Sequence, residues 1–227
     1  MKFKLNVVNK KEYEEKDNYK EIIIVLPKDS EELEKDFEYL GLDYKFLSVQ
    51  DTHVKKVEIL NFSNKRLSNA LNEFLENVKE ESDRNGYTMP FNNVKHLYDT
   101  IKDFNESQMV KLLAVLEAER GSIENINDLV DFSNRLDEYV LDDEIFDAEA
   151  YARSLFDNGD LVVEDVTDYI NIDDIIDCID LDAIGRDHAL DHDRTITTYG
   201  VVECVGEPYH KVKESVQSEN EEEDEFE

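Results

Sequence analysis

The sequence predicts an elongated α+β protein of three small domains in a row: α+β at 1–61, all-α at 62–145 and α+β at 146–212. Two changes in the spacing of hydrophobic residues predict these domains, because strand-like runs give way to helical spacing and then to a mixed pattern. The remaining residues, 213–227, are predicted to be a disordered acidic tail, since from Glu214 onward they include eight acidic and no basic residues. The length of 227 residues therefore suits a row of small units better than one compact core.

The first domain is predicted to contain one helix and about three strands. A surface loop is expected at 10–20, where charges of both signs are mixed. The apolar, β-branched run at 21–27 ends in proline and is expected to be a strand. Asp29 and the acidic residue three positions later are typical of a capping box, which predicts a helix directly after that strand. Two further strands are expected at 44–49 and 54–60.

The middle domain is predicted to be all-helical, because its apolar residues repeat every three or four positions. A helix is expected from Ser63, followed by a break at 83–90. Further helices are expected at about 94–104, 109–116 and 126–136.

The third domain is predicted to mix helices and strands. A short helix is expected at 148–155, stopped by Asn158-Gly159. Residues 161–166 suit either a strand or a loop. The isoleucine-rich stretch at 170–184 suits one helix or two short ones, and the β-branched stretch at 195–205 predicts a strand near the end of the fold.

The charge of the chain is strongly negative and unevenly distributed. It has 57 acidic and 25 basic residues, for a formal net charge of −32 and a sequence pI of about 4.3. Residues 1–100 contribute only −4, whereas residues 101–227 contribute −28. The densest stretch, 137–193, has 20 acidic residues, 16 of them Asp, against Arg153 and Arg186. Because unpaired repulsion destabilises a compact state, this pattern indicates a function for the charge itself.

The composition also excludes several function classes. A chain with this charge does not bind DNA, RNA or an anionic membrane through its bulk charge, so basic surfaces are its expected partners. No run of about 18 apolar residues occurs, and no apolar signal core follows Met1. Cys178 and Cys204 form neither a disulfide framework nor a paired-cysteine motif, so the cytoplasm is the expected compartment.

Motifs that carry catalysis or cofactor binding are absent from the sequence. No dinucleotide or phosphate loop, zinc-protease motif or nucleophile elbow is present. His188 and His192 have the spacing of zinc ligands on a helix but lack a nearby third ligand, so exposed helix residues are the favoured interpretation. The segment from Asp180 to Asp191 departs from a calcium loop at two ligand positions. We therefore predict no catalytic residue, metal or cofactor.

The spacing of the acidic residues suggests an imitation of DNA. B-DNA presents about one negative charge per 1.7 Å of axis, so 32 charges at that density would cover about 54 Å, on the order of 16 base pairs. An exposed acid at every fourth or fifth position of a helix places charges roughly 6–7 Å apart, close to the spacing of phosphates along one strand. Asp173, Asp177 and Asp180 follow this rhythm, as do Asp187 and Asp191.

A family resemblance supports the same interpretation. Residues 179–187, IDLDAIGRD, resemble the IDxxAxGRD signature of the ArdA antirestriction proteins, and the Tyr199-Gly200 strand follows as in that family. Residues 110–160 resemble the family's middle helices. The similarity covers roughly residues 20–205, and it is poorer in the N-terminal domain.

The resemblance implies an elongated homodimer that imitates bent B-form DNA. Such proteins occupy the DNA-binding groove of type I restriction–modification enzymes, blocking cleavage and often methylation, and mobile elements encode them to protect incoming DNA. Expected partners are thus the methyltransferase core of such an enzyme and a second copy, with no nucleic acid and no membrane. The dimer contacts are expected in the C-terminal domain.

The expected DNA-mimic carboxylates are all the acidic residues of the stretch 137–193. They are Asp137, Glu138, Asp142, Asp143, Glu144, Asp147, Glu149, Asp157, Asp160, Glu164, Asp165, Asp168, Asp173, Asp174, Asp177, Asp180, Asp182, Asp187, Asp191 and Asp193. Arg186 is interpreted as a structural salt-bridge partner in the Asp182/Asp187 region.

Two alternatives come from other function classes. The acidic tail is also typical of a chaperone-like binder of basic proteins. A metal-dependent hydrolase would use the Asp clusters together with His188 and His192.

Overall fold

The computed structural model describes residues 1–15, 19–42, 52–78, 81–83, 86–161, 178–207 and 209. Within these residues the chain is mixed α+β, as predicted, with eight α-helices and two antiparallel sheets. The chain divides into two compact units: unit 1 comprises 1–116 and 121–135, and unit 2 comprises 117–120 and 136–227. The order of three domains stays a prediction.

Unit 1 is built on a five-stranded antiparallel sheet with the strand order β2-β1-β3-β5-β4. Its strands are β1 Lys2–Asn9, β2 Glu21–Leu26, β3 Thr52–Leu60, β4 Glu81–Asp83 and β5 Gly86–Pro90. Its helices are α1 Lys10–Glu15, α2 Ser30–Tyr39, α3 Lys65–Asn77, α4 Phe91–Ile101, α5 Glu106–Ala118 and α6 Ile126–Asn134.

The core of unit 1 lies between one face of this sheet and the helices. Alternate side chains of β1 are buried, and Phe3 meets Tyr98 of α4 edge to face at 5.2 Å. Phe37 of α2 meets Phe91 in the same way at 5.1 Å. Aromatic pairs of this geometry add attraction to the burial of apolar area, so they fix α2 and α4 over the sheet.

Several predicted elements of unit 1 are confirmed. The strand at 21–26 is present, and the carboxylate of Asp29 caps α2 by accepting a hydrogen bond from the Glu32 amide at 2.8 Å. The predicted strand at 54–60 lies within β3. The predicted strand at 44–49 lies outside the described residues.

Other expectations for unit 1 were wrong. Residues 10–15 of the expected surface loop form α1, in which Tyr13 is buried. Strand β1 was not predicted, although its apolar and polar residues alternate. The predicted break at 83–90 contains β5, because Val54 of β3 pairs with Met89 and buries it. Residues 63–145 are therefore not all-helical.

The other helices of unit 1 begin within a few residues of the predicted positions. The helix expected from Ser63 begins at Lys65, because the Asn64 side chain caps it by accepting from the Arg66 amide at 3.0 Å. Side-chain capping thus fixes a boundary that periodicity alone leaves uncertain.

Unit 2 contains a three-stranded antiparallel sheet with the order β6-β8-β7 and two described helices. These elements are β6 Tyr139–Asp142, α7 Ala148–Asn158, α8 Leu181–Asp191, β7 Arg194–Thr197 and β8 Gly200–Cys204. A small apolar cluster of Tyr151, Leu155, Ala189 and Val201 joins both helices to the sheet.

Unit 2 agrees with the sequence at α7 and differs at two other places. The helix stop at Gly159 is confirmed, with a left-handed φ of 77°. The strand predicted at 195–205 is a hairpin. Of the stretch 170–184, predicted to be one helix or two short ones, the structure describes residues from 178 onward, where α8 begins at 181 after its cap Asp180. Strand β6 lies in the stretch predicted to be helical, since its pairing with β8 outweighs local spacing.

Residues 162–166 and the tail from 213 lie outside the described residues. The predicted strand or loop and the predicted disorder of the tail therefore stay predictions.

Gly185 marks the closest approach of α7 and α8. A Cβ atom built at this position would collide with the backbone carbonyl of Ala148, and one at Gly200 would collide with that of Asp142. The occurrence of glycine at both positions has a packing reason, since only a hydrogen fits against the opposing backbone.

We predict that Gly185→Ala destabilises unit 2 by about 1–3 kcal/mol, because the added methyl group forces the two helices apart. Urea unfolding followed by circular dichroism measures this loss. Gly121→Ala is the matched control, since a Cβ atom at Gly121 would meet nothing within 4 Å. Equal stability of the two variants would contradict the close helix crossing.

Candidate interaction surface

The described part of unit 2 presents an exposed acidic surface. Fourteen of the twenty predicted DNA-mimic carboxylates are described; Glu138 and Asp182 are half-buried, and the other twelve are exposed. The exposed ones are Asp137, Asp142, Asp143, Glu144, Asp147, Glu149, Asp157, Asp160, Asp180, Asp187, Asp191 and Asp193. Those outside the described residues are Glu164, Asp165, Asp168, Asp173, Asp174 and Asp177.

Three of these carboxylates order the local backbone. Asp147 caps α7 by accepting from the Ala150 amide at 2.8 Å, and Asp180 caps α8 by accepting from the Ala183 amide at 3.0 Å. Asp142 accepts from the Glu144 amide at 3.1 Å at the turn after β6. Each bond satisfies an amide that would otherwise lack a partner and holds a negative charge near the positive end of a helix or within a turn.

The arginines of this surface are already paired within the unit. Arg153 binds Glu149 at 2.8 Å on α7, and Arg194 binds Glu203 at 2.8 Å across β7 and β8. Arg186 binds Asp182, so the salt bridge predicted for Arg186 is formed. Of the four arginines in the described part of unit 2, only Arg120 has no carboxylate partner.

The other described carboxylates of this surface, apart from Glu138, are exposed and form no ion pair with an arginine, although Asp160 and Asp191 lie close enough to His188 to act on its charge. Among the described residues, the structure gives no hydrogen bond or ion pair to the side chains of Asp137, Asp143, Glu144, Asp157, Asp160, Asp187, Asp191 and Asp193. Asp187 and Asp191 lie one turn apart on α8, which separates their positions by about 6 Å along the helix axis. The described residues of unit 2 thus keep a charge surplus that is available to an external basic surface.

A polar network lies at the base of this surface. The Arg194 guanidinium donates to the Tyr151 hydroxyl at 2.8 Å, and that hydroxyl lies 3.2 Å from His188 Nδ1. The hydrogen bond to Tyr151, followed by the bond to Glu203, raises the pKa of Arg194. Burial, together with the positive charges of His192 and Arg194, lowers the pKa of His188. The Nδ1 atom of a neutral His188 can accept a hydrogen bond from the Tyr151 hydroxyl, so the three side chains form one chain of hydrogen bonds.

His188 and His192 lie on one face of the helix end, as their spacing predicted, but in contact with each other. Their rings are stacked with centroids 3.9 Å apart, and His192 Nδ1 lies 2.9 Å from the His188 carbonyl. His192 is exposed and His188 is half-buried, so the expectation of exposed helix residues holds for His192 alone. In the part of the chain that the structure describes, no group of three metal-binding side chains is found.

A small cavity lies beside the network. Its volume is about 200 Å³, and it is lined by Val140, Asp142, Tyr151, Arg194, Val201 and Glu203. Asp142, Tyr151, Arg194 and Glu203 already bond to protein groups. The bonds of Arg194 join β7 to β8 and to α7 beside this cavity.

Sequence reasoning missed the apolar part of this surface. Val140, Phe146, Leu190 and Val205 are 52%, 56%, 78% and 59% exposed, which is unusual for large apolar side chains. Strand β6 is only four residues long, so its alternation gives no clear signal. The network of Arg194, Tyr151 and His188 was missed because Tyr151 is 37 residues from His188 and 43 residues from Arg194 in the sequence.

Comparison with family models finds no match to this chain, and comparison with curated proteins finds none either. Among the described residues, no helix is long and apolar enough to cross a bilayer.

We predict that His188 stabilises unit 2 above neutral pH. Because its pKa is lowered on folding, the unfolded chain takes up the proton first as pH falls, so this stability is lost below the unfolded pKa of about 6.5. The urea midpoint of the wild type should fall more steeply between pH 8 and pH 5.5 than that of His188→Gln. His96→Gln, at an exposed position of α4, is the control and should keep the steeper wild-type dependence.

Proposed function

We propose that the chain is an antirestriction protein of the ArdA kind, which imitates B-form DNA and occupies the DNA-binding groove of type I restriction–modification enzymes. The observation that carries the proposal is the acidic surface of unit 2, whose carboxylates are exposed while three of its four described arginines are already paired. Such a surface presents negative charge to a basic groove much as a phosphate backbone does.

The side chains used for this charge favour mimicry over general solubility. The Asp side chain is short and has few rotatable bonds, so its carboxylate stays close to the backbone. Asp147 and Asp180 fix the starts of α7 and α8, and the glycine at the crossing of these helices sets their separation within unit 2. A rigid array of charges loses less conformational entropy on binding than a flexible one.

The proposed mechanism is stoichiometric inhibition without catalysis. Lysine and arginine side chains of the groove would pair with the carboxylates of unit 2 in place of phosphates, and restriction of incoming mobile-element DNA would be blocked. Modification by the same methyltransferase core would be blocked as well. We place this activity in the cytoplasm, where the enzyme meets incoming DNA, and we propose that the protein acts as a homodimer.

We predict that many weak contacts share the binding energy. Exposed ion pairs contribute about 0.2–1 kcal/mol each, so a single Asp→Asn change should weaken inhibition no more than about fivefold. Changing Asp143, Asp157, Asp187 and Asp191 together to Asn should weaken it by about fourfold to several hundredfold, if the four contributions add. The measurement is competition with DNA for a purified type I methyltransferase core.

The matched control changes Glu31, Glu38, Glu73 and Glu76 of unit 1 to Gln, which removes the same number of exposed charges. This variant should inhibit nearly as well as the wild type. Equal losses in the two variants would indicate that only the net charge matters.

Salt provides a second measurement on the same assay. Binding that depends on carboxylates should weaken steeply as salt rises, because counterions screen both surfaces. Inhibition that is independent of salt would overturn the proposed mechanism. Loss of inhibition on removal of 214–227, with full resistance to the four Asp changes, would instead favour a chaperone-like binder of basic proteins.

A further inference from the structure

The outer strand of the sheet in unit 1 carries exposed apolar side chains. Strand β2 is the last strand of the five-stranded sheet, and among the described residues no strand pairs with its outer edge. Ile23 and Val25 of β2 are 57% and 36% exposed, and Tyr39 is 58% exposed. Lys20, which directly precedes β2, donates a hydrogen bond to the Tyr39 carbonyl at 2.8 Å.

An exposed edge of this kind is unusual in a monomer. Natural edge strands are commonly blunted by a central charge, a proline or a bulge, because their free amides and carbonyls recruit another strand. The residues from 22 to 26 of β2 are Ile, Ile, Ile, Val and Leu, with no charge among them. The bulge of this sheet lies between β1 and β3, away from the edge.

We propose that β2 pairs with β2 of a second copy of this chain in an antiparallel, two-fold symmetric manner, joining two sheets into one. Residues directly opposite each other in such a pair share a face of the sheet. In the register that places Ile24 opposite Ile24 of the second copy, Ile23 of each copy lies opposite Val25 of the other. The two-fold axis therefore produces this Ile23–Val25 pair two times on the exposed face. Aliphatic β-branched pairs at these positions are typical of stable antiparallel strands.

The distribution of charge favours unit 1 over unit 2 for this contact. By sequence, unit 1 has a net charge of −6 and unit 2 a net charge of −26, so a contact between two copies of unit 2 meets more repulsion. The inference therefore differs from the C-terminal contacts expected from the sequence. It rests on unit 1 alone and does not depend on DNA mimicry.

Helix α2 sets the salt dependence of the contact. This helix packs beside β2 and has five acidic residues against Lys35 alone, so the two copies of α2 repel each other in the paired sheet. Salt screens this repulsion and leaves the apolar pairing intact. The dimer should thus tighten as salt rises, whereas binding to a basic groove weakens.

The test measures the mass of the full chain by light scattering after size exclusion, over a dilution series at low and high salt. The wild type should dimerise, and more tightly at high salt. Changing Ile23 and Val25 together to Lys should raise the dissociation constant of the dimer about tenfold or more, because two charges then oppose two others at the edge. The matched control, Val205→Lys with Leu190→Lys, changes two exposed apolar residues of unit 2 and should dimerise like the wild type.

Two further measurements make the result specific. Changing Ile23 and Val25 to Thr keeps β-branched side chains and should weaken the dimer less than Lys does. Hydrogen exchange of the β2 amides should slow as the protein concentration rises. The inference would be overturned if the wild type is a monomer or if its dimer survives the Lys changes. It would also be overturned if the unit 2 control breaks the dimer, or if exchange of the β2 amides does not depend on protein concentration. Inhibition of the methyltransferase core is measured in a separate assay. Failure of the β2 pairing and failure of the proposed antirestriction function can therefore be distinguished.

Discussion

Mutual repulsion between carboxylates is the constraint on which the structure of unit 2 depends. The described residues of this unit include 18 acidic and four basic side chains. Against them stand a four-residue apolar cluster with a few neighbours and other buried side chains, among them Tyr139, Ala152 and Val202. Arg194 carries much of the compensation, because it bonds Glu203 of β8 and the Tyr151 hydroxyl of α7 at the same time. The other paired arginines act within one helix each. Repulsion between carboxylates is thus offset by Arg194 where strands and helix meet, and it remains between the exposed carboxylates at the surface.

The abundance of Asp on this surface has a structural reason in addition to the proposed functional one. Asp is a poor residue in the middle of a helix, but it is among the best at an N-cap, where Asp29, Asp147 and Asp180 all lie. Abundance of Asp therefore does not by itself indicate mimicry. The stronger indication comes from Asp157, Asp187 and Asp191, which lie beyond the caps, face solvent and accept no hydrogen bond within the described residues.

Local patterns in the sequence predict those elements whose ends are fixed by nearby side chains. Strand β2, helix α2 and helix α7 were predicted from a proline, the capping Asp29 and the stop at Gly159, all of which act within a few residues. Strands β5 and β6 were not predicted, because each is stabilised by pairing with a distant strand. The same reason hides the network of Tyr151, His188 and Arg194. Exposed acids were predictable because charge is rarely buried, whereas exposed apolar residues such as Phe146 and Ile23 depend on what the fold leaves uncovered.

The two proposed contacts rest on opposite physical forces. The surface of unit 2 would bind through charge that the fold leaves without partners, and salt weakens such binding. The edge of unit 1 would bind through main-chain hydrogen bonds and β-branched side chains, and salt strengthens that contact by screening the like charges around it. A second copy meets the least repulsion where the charge is least dense, and strand β2 is uncharged from 22 to 26. The uneven distribution of charge between the units would thus let one chain repel its copy over one surface and pair with it over another.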